Sequence, residues 1–274
     1  MRREELKEIL LKIREEFYEV PKEIKPFDLA LDMLSHIGDV DSELRDNLIY
    51  MTFYKWIIND VFTKNELNEI VNISLDDNHL FYKLGDKNDS VFRRSFSVLL
   101  LPIVLYKHRQ DNYLKGETIK LILNKVIDYI ENEKDLRGYI EGKGWAHAAA
   151  HTADALDELV KCNELNNEDL MRILNTIQNK ISVNYYLYVH EEDERMTTAV
   201  MSILNNEKTN EVMIIEWVEK FVGISEEGNI MDEYKKYLNI KNFLRSLYFR
   251  TIKNEDYKLV TDKIKKILDA ISKF

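Results

Sequence analysis

Helix breakers are so sparse in this chain that long helices joined by short loops suit it better than any sheet architecture. Its 274 residues include only 3 prolines and 8 glycines. A β-rich chain requires turn residues every few positions, whereas packed helices require them only at their ends. A hydrophobic share of 45% is enough for a sizeable core. A charged share of 32% is what amphipathic helices show when each turns a polar face to water.

The local pattern places the helices. Over 2–17, Leu and Ile alternate with Glu and Lys at helical spacing. Pro21 and Pro26 interrupt the chain, and Pro26 suits the first turn of a helix over 27–37 that Gly38 ends. Asp41 or Ser42 caps a third helix, and Thr63 with Glu66 forms a capping box for a fourth. The polar stretch 76–89 has no periodicity and is expected to be a loop. Ser90 caps a strongly apolar helix whose run 98–106, with Pro102 inside it, is about half a membrane span and belongs in a core. Further helices are expected at 113–133, 145–161, 168–182 (capped by Asn167), 191–205, 209–222, 229–252 and 255–272. The run 185–189 has β-propensity but stands alone, so it is expected as an extended connector.

Short connections force successive helices to pack antiparallel. The expected fold is therefore all-α: antiparallel helix pairs stacked as an ARM/HEAT-like α-solenoid in a single domain over 1–274, with a compact helical bundle as the alternative. No repeat period is visible by identity.

Charge limits the partners. The net charge is −10 and the pI about 5.3, so general binding to phosphate backbones is disfavoured. The single cysteine, Cys162, excludes an intramolecular disulfide and fits a reducing cytoplasm. The first residues carry acids where a secretory signal would not, and no run is long enough to span a bilayer. A cytoplasmic location without membrane association is expected.

Chemistry concentrates in one passage. Gly138, Gly142 and Gly144 cluster ahead of an alanine-rich segment that carries His147, His151, Asp154 and Glu158. If that segment is helical from 145, about 100° per residue puts these four side chains within about 60° of one another. Lys143 lies on the same edge and Trp145 on the other side. Two imidazoles one turn apart can chelate a divalent transition metal, with Asp154 as a third ligand. The bland alternative is that both histidines hydrogen-bond to neighbouring helices or sit half-solvated in a groove. A second cluster, His190 to Arg195, places four acids where they complement a helix dipole. It could instead reach His147 and His151. A third, Arg93-Arg94-Ser95, opens the apolar helix, and an arginine buried there is expected to pair with a carboxylate. Phosphate-binding, dinucleotide-binding and serine-hydrolase motifs are absent.

The stretches Asp135 to Gly138, Gly142 to His147 and Ala150 to Leu159, together with Asp89 to Ser97 and Glu192 to Arg195, resemble a bacterial family catalogued as domain of unknown function 2785. Thr152 stands where that pattern has glycine, and His190 where it has a small or acidic residue. The resemblance implies an all-helical, ARM/HEAT-like fold and supplies no activity. It also implies that the three clusters converge on one groove.

Three functional readings follow, in order. The first is a helical scaffold that binds a small molecule, protein or peptide in a polar groove. Its candidate lining is Arg94, Arg137, Lys143, Trp145, His147, His151, Asp154, Glu194 and Arg195. The second is a purely structural polar network. The third is a metal-dependent hydrolase in which His147, His151 and Asp154 hold the ion and Glu194 acts as general base.

Overall fold

The computed structural model describes residues 1–222 and 229–272. Among them are twelve α-helices and one small hairpin. Backbone contacts divide the chain into two compact units, Met1–Ala155 and Leu156–Phe274. The division falls inside a helix.

In the first unit, α1 (Arg3–Glu15) buries Leu6, Leu10 and Ile13, the stripe that its periodicity dictates. Helix α2 (Pro26–Ser35) starts on Pro26, whose missing N–H costs nothing at that position. A π-helical segment, Glu43–Tyr50, runs on into α3 (Met51–Ile58). Asp41 supplies its first turn with an acceptor: its Oδ1 takes the amides of Glu43 and Leu44 at 3.0 and 3.4 Å. Helix α4 (Lys64–Ser74) opens on the expected Thr63/Glu66 capping box. The long α5 (Ser90–Asp111) carries Pro102 and is buried over most of its length, so the 98–105 part of its apolar run is core, while Tyr106 at the end of that run is exposed. It packs on α3 and α4, while α1 packs on the π-helical segment and α2 on α4. Helix α6 is Gly116–Asn132. Strands β1 (Tyr139–Ile140) and β2 (Gly144–Trp145) form an antiparallel pair ahead of α7 (Ala148–Val160), which crosses the division.

The second unit comprises the end of α7, α8 (Asn167–Ile181), α9 (Glu192–Leu204), α10 (Glu211–Glu219), α11 (Ile230–Thr251) and α12 (Lys258–Ile271). Here α11 packs on α8, α9 and α12, and α10 packs on α8 and α12. Trp217 is fully buried and donates its indole N–H to the Leu174 carbonyl at 2.9 Å, tying α10 to α8. The 185–189 run makes no strand and connects α8 to α9, as expected.

Three local expectations are corrected. Ser90 is not a cap: it is the first helical residue, and its hydroxyl accepts from Arg94 at 2.6 Å. The cap of α8 is Asn166 rather than Asn167, because Asn166 and Asp169 exchange side-chain and backbone bonds in a capping box. The alanine-rich helix begins at Ala148 rather than 145, because Gly144 and Trp145 pair with β1. Asn166→Ala is therefore expected to lower stability by about 1 kcal/mol, and Asn167→Ala to leave it unchanged within about half a kcal/mol, as urea denaturation of the two variants can check.

Candidate functional site

The glycine-marked passage folds as a hairpin that delivers His147 to the start of α7. Beyond the β1–β2 pair, the Ala146 amide donates to the Gly138 carbonyl at 2.8 Å and the His147 amide to that of Arg137 at 3.0 Å. The turn is closed by the Lys143 amide on the Ile140 carbonyl at 3.0 Å, with Gly142 at φ 72°. His147 has φ 48°, a left-handed conformation that costs about 1–3 kcal/mol in a residue with a Cβ. Its carbonyl then accepts the His151 amide at 2.9 Å, the first bond of the helix. The two imidazoles thus stand four residues apart, but one precedes the helix and the other lies within its first turn.

Glycine is required at 144 for two reasons. Its φ is 81°, and a Cβ there would stand 2.8 Å from the Ser42 Cβ and 3.1 Å from a nitrogen of Arg45. The hairpin is therefore pressed against the start of the π-helical segment. Arg45, fully buried, donates to the carbonyls of Lys143 at 2.8 Å and Asp39 at 2.7 Å. It pairs with Asp46 at 2.7 Å, and its guanidinium lies 4.2 Å from the Phe92 ring centre and 4.7 Å from that of Phe96.

Aromatic and imidazole rings then run in sequence from the surface inward. Tyr139 and Trp145 face each other across the hairpin, with centres 5.1 Å apart and planes at 73°. Trp145 stacks on His147 at 4.3 Å and 27°. His147 meets His151 at 5.8 Å, and His151 meets Phe96 at 5.2 Å, both edge to face. Tyr139 is 47% and Trp145 40% exposed, whereas His151 is 7% exposed and its Nδ1 lies 3.2 Å from the Ser95 carbonyl. His147 and Asp154 are half-buried.

The other candidate residues of the first unit brace this hairpin or the loop beside it. Arg137 binds the Asp135 carboxylate through Nε and Nη2, at 2.8 and 2.5 Å, and reaches the Asn88 carbonyl at 3.1 Å. Lys143 binds both oxygens of Asp89, at 2.9 and 2.7 Å. Arg94 does not line an open groove. It is fully buried, forks onto Glu133 at 2.6 and 3.0 Å, and donates to the carbonyls of Tyr82, Lys83 and Asp86 and to the Ser90 hydroxyl. The pairing expected for an arginine in that apolar helix is what it makes, and it fastens the 82–86 loop.

Glu194 and Arg195 lie in the second unit. Glu194 is ion-paired to Arg250 of α11. Burial works to raise its pKa, but the Ser246 hydroxyl and Arg250 outweigh it, and the carboxyl sits below its ordinary range. Arg195 is exposed. Fully buried Glu192 turns back to accept the His190 amide at 2.8 Å, and burial pushes its carboxyl up. Among the described residues no three His, Cys, Asp or Glu side chains stand as a metal-holding group, so His147, His151 and Asp154 do not form the expected three-ligand set.

Asp46 is not marked in the sequence, because nothing in Leu44-Arg45-Asp46-Asn47 distinguishes a half-buried ion pair from an ordinary polar helix start. Burial pushes its carboxyl up to about 6 against the opposing pull of Arg45, and burial lowers Arg45 in turn. Its folded value thus exceeds the ordinary 3.8, so the native state holds the proton more tightly. The stability this group contributes is complete below the ordinary value and is lost as the pH rises through about 6. A carbon-detected titration of the Asp46 carboxyl should have its midpoint near 6. Asp46→Asn should remove that group's downward step in stability, whereas a midpoint at the ordinary value would show a fully hydrated carboxylate.

These features define a helical protein in which four of the candidate side chains, Arg137, Lys143, Trp145 and His147, stand on one short hairpin. Residues 80–249 match the family described as protein of unknown function (DUF2785), more than half of the chain, and the chain belongs to that family. No curated protein and no solved structure matches it. Among the described residues, no helix is long and apolar enough to cross a membrane.

Proposed function

We propose that the chain is a binding protein whose recognition surface is the 137–147 hairpin, with the helices as its scaffold. In this reading the helix pairs act as ARM/HEAT-like repeats. The observation that supports it is the exposure of Tyr139 and Trp145, at 47% and 40%, on a segment held rigidly from below. Large rings that only complete a core are covered, as Trp56 and Trp217 are at 0%. Here they are presented, and the hairpin beneath them is fixed by Arg45, by the Arg137–Asp135 and Lys143–Asp89 pairs, and by a strained His147. Preorganised aromatic side chains lose little entropy on binding, which is why they dominate recognition surfaces.

The test is a small-fragment screen on isotopically labelled protein. Fragments of neutral, cationic and anionic type are added one at a time, and amide and indole shifts are followed. Shifts centred on 137–147 are expected for at least one fragment class. Shifts confined to other surfaces, or none at all, would remove the reading.

A further inference from the structure

Resting on the hairpin as the recognition surface, we infer that Asp46 is its proton-operated latch: neutral, the carboxyl lets the hairpin close on the π-helical segment, and ionised, it weakens that closure. The contact itself sets this up. Arg45 and Asp46 are neighbours on the segment, and the hairpin lies against both. Arg45 donates to the Lys143 carbonyl at 2.8 Å, and a Cβ on Gly144 would stand 3.4 Å from the Asp46 Oδ2. Hairpin backbone therefore covers the half-buried carboxyl, and it brings no donor in exchange. The amides of Lys143, Ala146 and His147 are spent on the carbonyls of Ile140, Gly138 and Arg137. Arg45 compensates only in part: its Nε stands 2.7 Å from Oδ1, yet neither atom makes a hydrogen bond. A carboxylate covered without hydrogen bonds loses its hydration, whereas the neutral acid has far less to lose.

The charges around the latch are engaged elsewhere. Ahead of the segment stand Asp39 and Asp41, and from α1 Arg3 binds both while Lys7 binds Asp41. Arg14 of α1 pairs with Glu43. Lys55, the single charge of α3, lies 5.7 Å from the Tyr54 ring centre. From the side of α5, Phe92 and Phe96 face Arg45, Arg93 binds the Ser35 carbonyl, and Arg94 binds Glu133. On the hairpin, Lys143 is bound to Asp89, Glu141 is a further acid, and His147 stands at the end with His151 beyond it. Burial accordingly pushes the Asp46 carboxyl up to about 6, so a closed hairpin keeps a proton that an open one, at the ordinary 3.8, has released. Closure is complete below the ordinary value and weakens as the pH rises through about 6. The segment is also wound as a π-helix over eight residues, a rare winding that frequently accompanies functional positions.

The test is amide hydrogen exchange in the full chain, corrected for the intrinsic pH dependence of exchange. The reporters are the bonded amides of Lys143, Ala146 and His147. Between about pH 5 and about pH 7.5 their protection is expected to fall about five- to tenfold, the change that this displacement of a single carboxyl allows. Asp46→Asn keeps the shape of the side chain and cannot ionise, so its hairpin protection should be level across that range and at least as high as that of the parent at the lower pH. Equal falls in the parent and in Asp46→Asn would assign the effect to His147 or His151 and overturn the latch. No fall in the parent would overturn it, as would hairpin protection equal to that of the α5 core amides, since the hairpin would then open only with the whole unit. The exchange measurement involves no ligand, so a failed fragment screen removes the recognition surface without touching this result, and a failed latch leaves the screen to stand on its own terms.

Discussion

Arg94→Met is expected to destabilise the first unit by about 3–5 kcal/mol, the usual cost of leaving one member of a buried ion pair behind. Both side chains are fully inaccessible, and the pair is bidentate. Losing the guanidinium strands the Glu133 carboxylate and also frees the carbonyls of Tyr82, Lys83 and Asp86. The double variant Arg94→Met/Glu133→Leu should recover part of the loss, because two apolar groups replace a charge pair at little net cost. It should not recover all of it, since the loop carbonyls still lose their donor and the Lys134 and Asp135 amides lose the Glu133 oxygen they bind. Urea denaturation of the three proteins measures this. A single-variant loss below about 1 kcal/mol would mean that water reaches the pair.

The second large effect is expected at Gly144. Gly144→Ala combines a left-handed φ of 81° with a Cβ placed 2.8 Å from Ser42 and 3.1 Å from Arg45. Strain and overlap together should cost about 2–4 kcal/mol. Gly142 provides the control: its φ is 72°, but a Cβ there meets nothing within 4 Å. Gly142→Ala should therefore cost only the strain, about 1–2 kcal/mol, and Gly142→Asn less still because asparagine tolerates this conformation. The difference between the two alanine variants isolates the contact of the hairpin with the π-helical segment. The Gly144 variant should also shift the Trp145 indole signal, since the hairpin must lift to make room. Equal losses at the two glycines would show that the close contact does not form.

The helices were legible because their signals are local. Leu6, Leu10 and Ile13 recur at helical spacing and are buried for that reason, and Thr63 with Glu66 caps α4 as its pattern implies. The pairing of Arg94 was legible too, because a guanidinium inside an apolar run requires a counter-charge; that the partner is Glu133, 39 residues on, was not. The three glycines correctly marked a demanding backbone. The reading failed on its continuation, since Gly144-Trp145-Ala146-His147 resembles the first turn of an alanine-rich helix and is instead a strand and a left-handed turn. Local propensity favoured the helix, and contact with residues about a hundred positions earlier overruled it.

Composition and periodicity alone determined that the chain is helical and roughly where its helices lie, because a helix bonds within itself and its apolar stripe depends on residues three and four apart. The ring series from Tyr139 to Phe96 was decided by tertiary structure. It exists because Arg45 holds the Lys143 carbonyl, 98 residues away in sequence, and because Gly144 lets two backbones come close enough for that bond to form. Contacts of such long range leave no spacing in a linear string, and so the histidines were visible as residues while their surroundings were not.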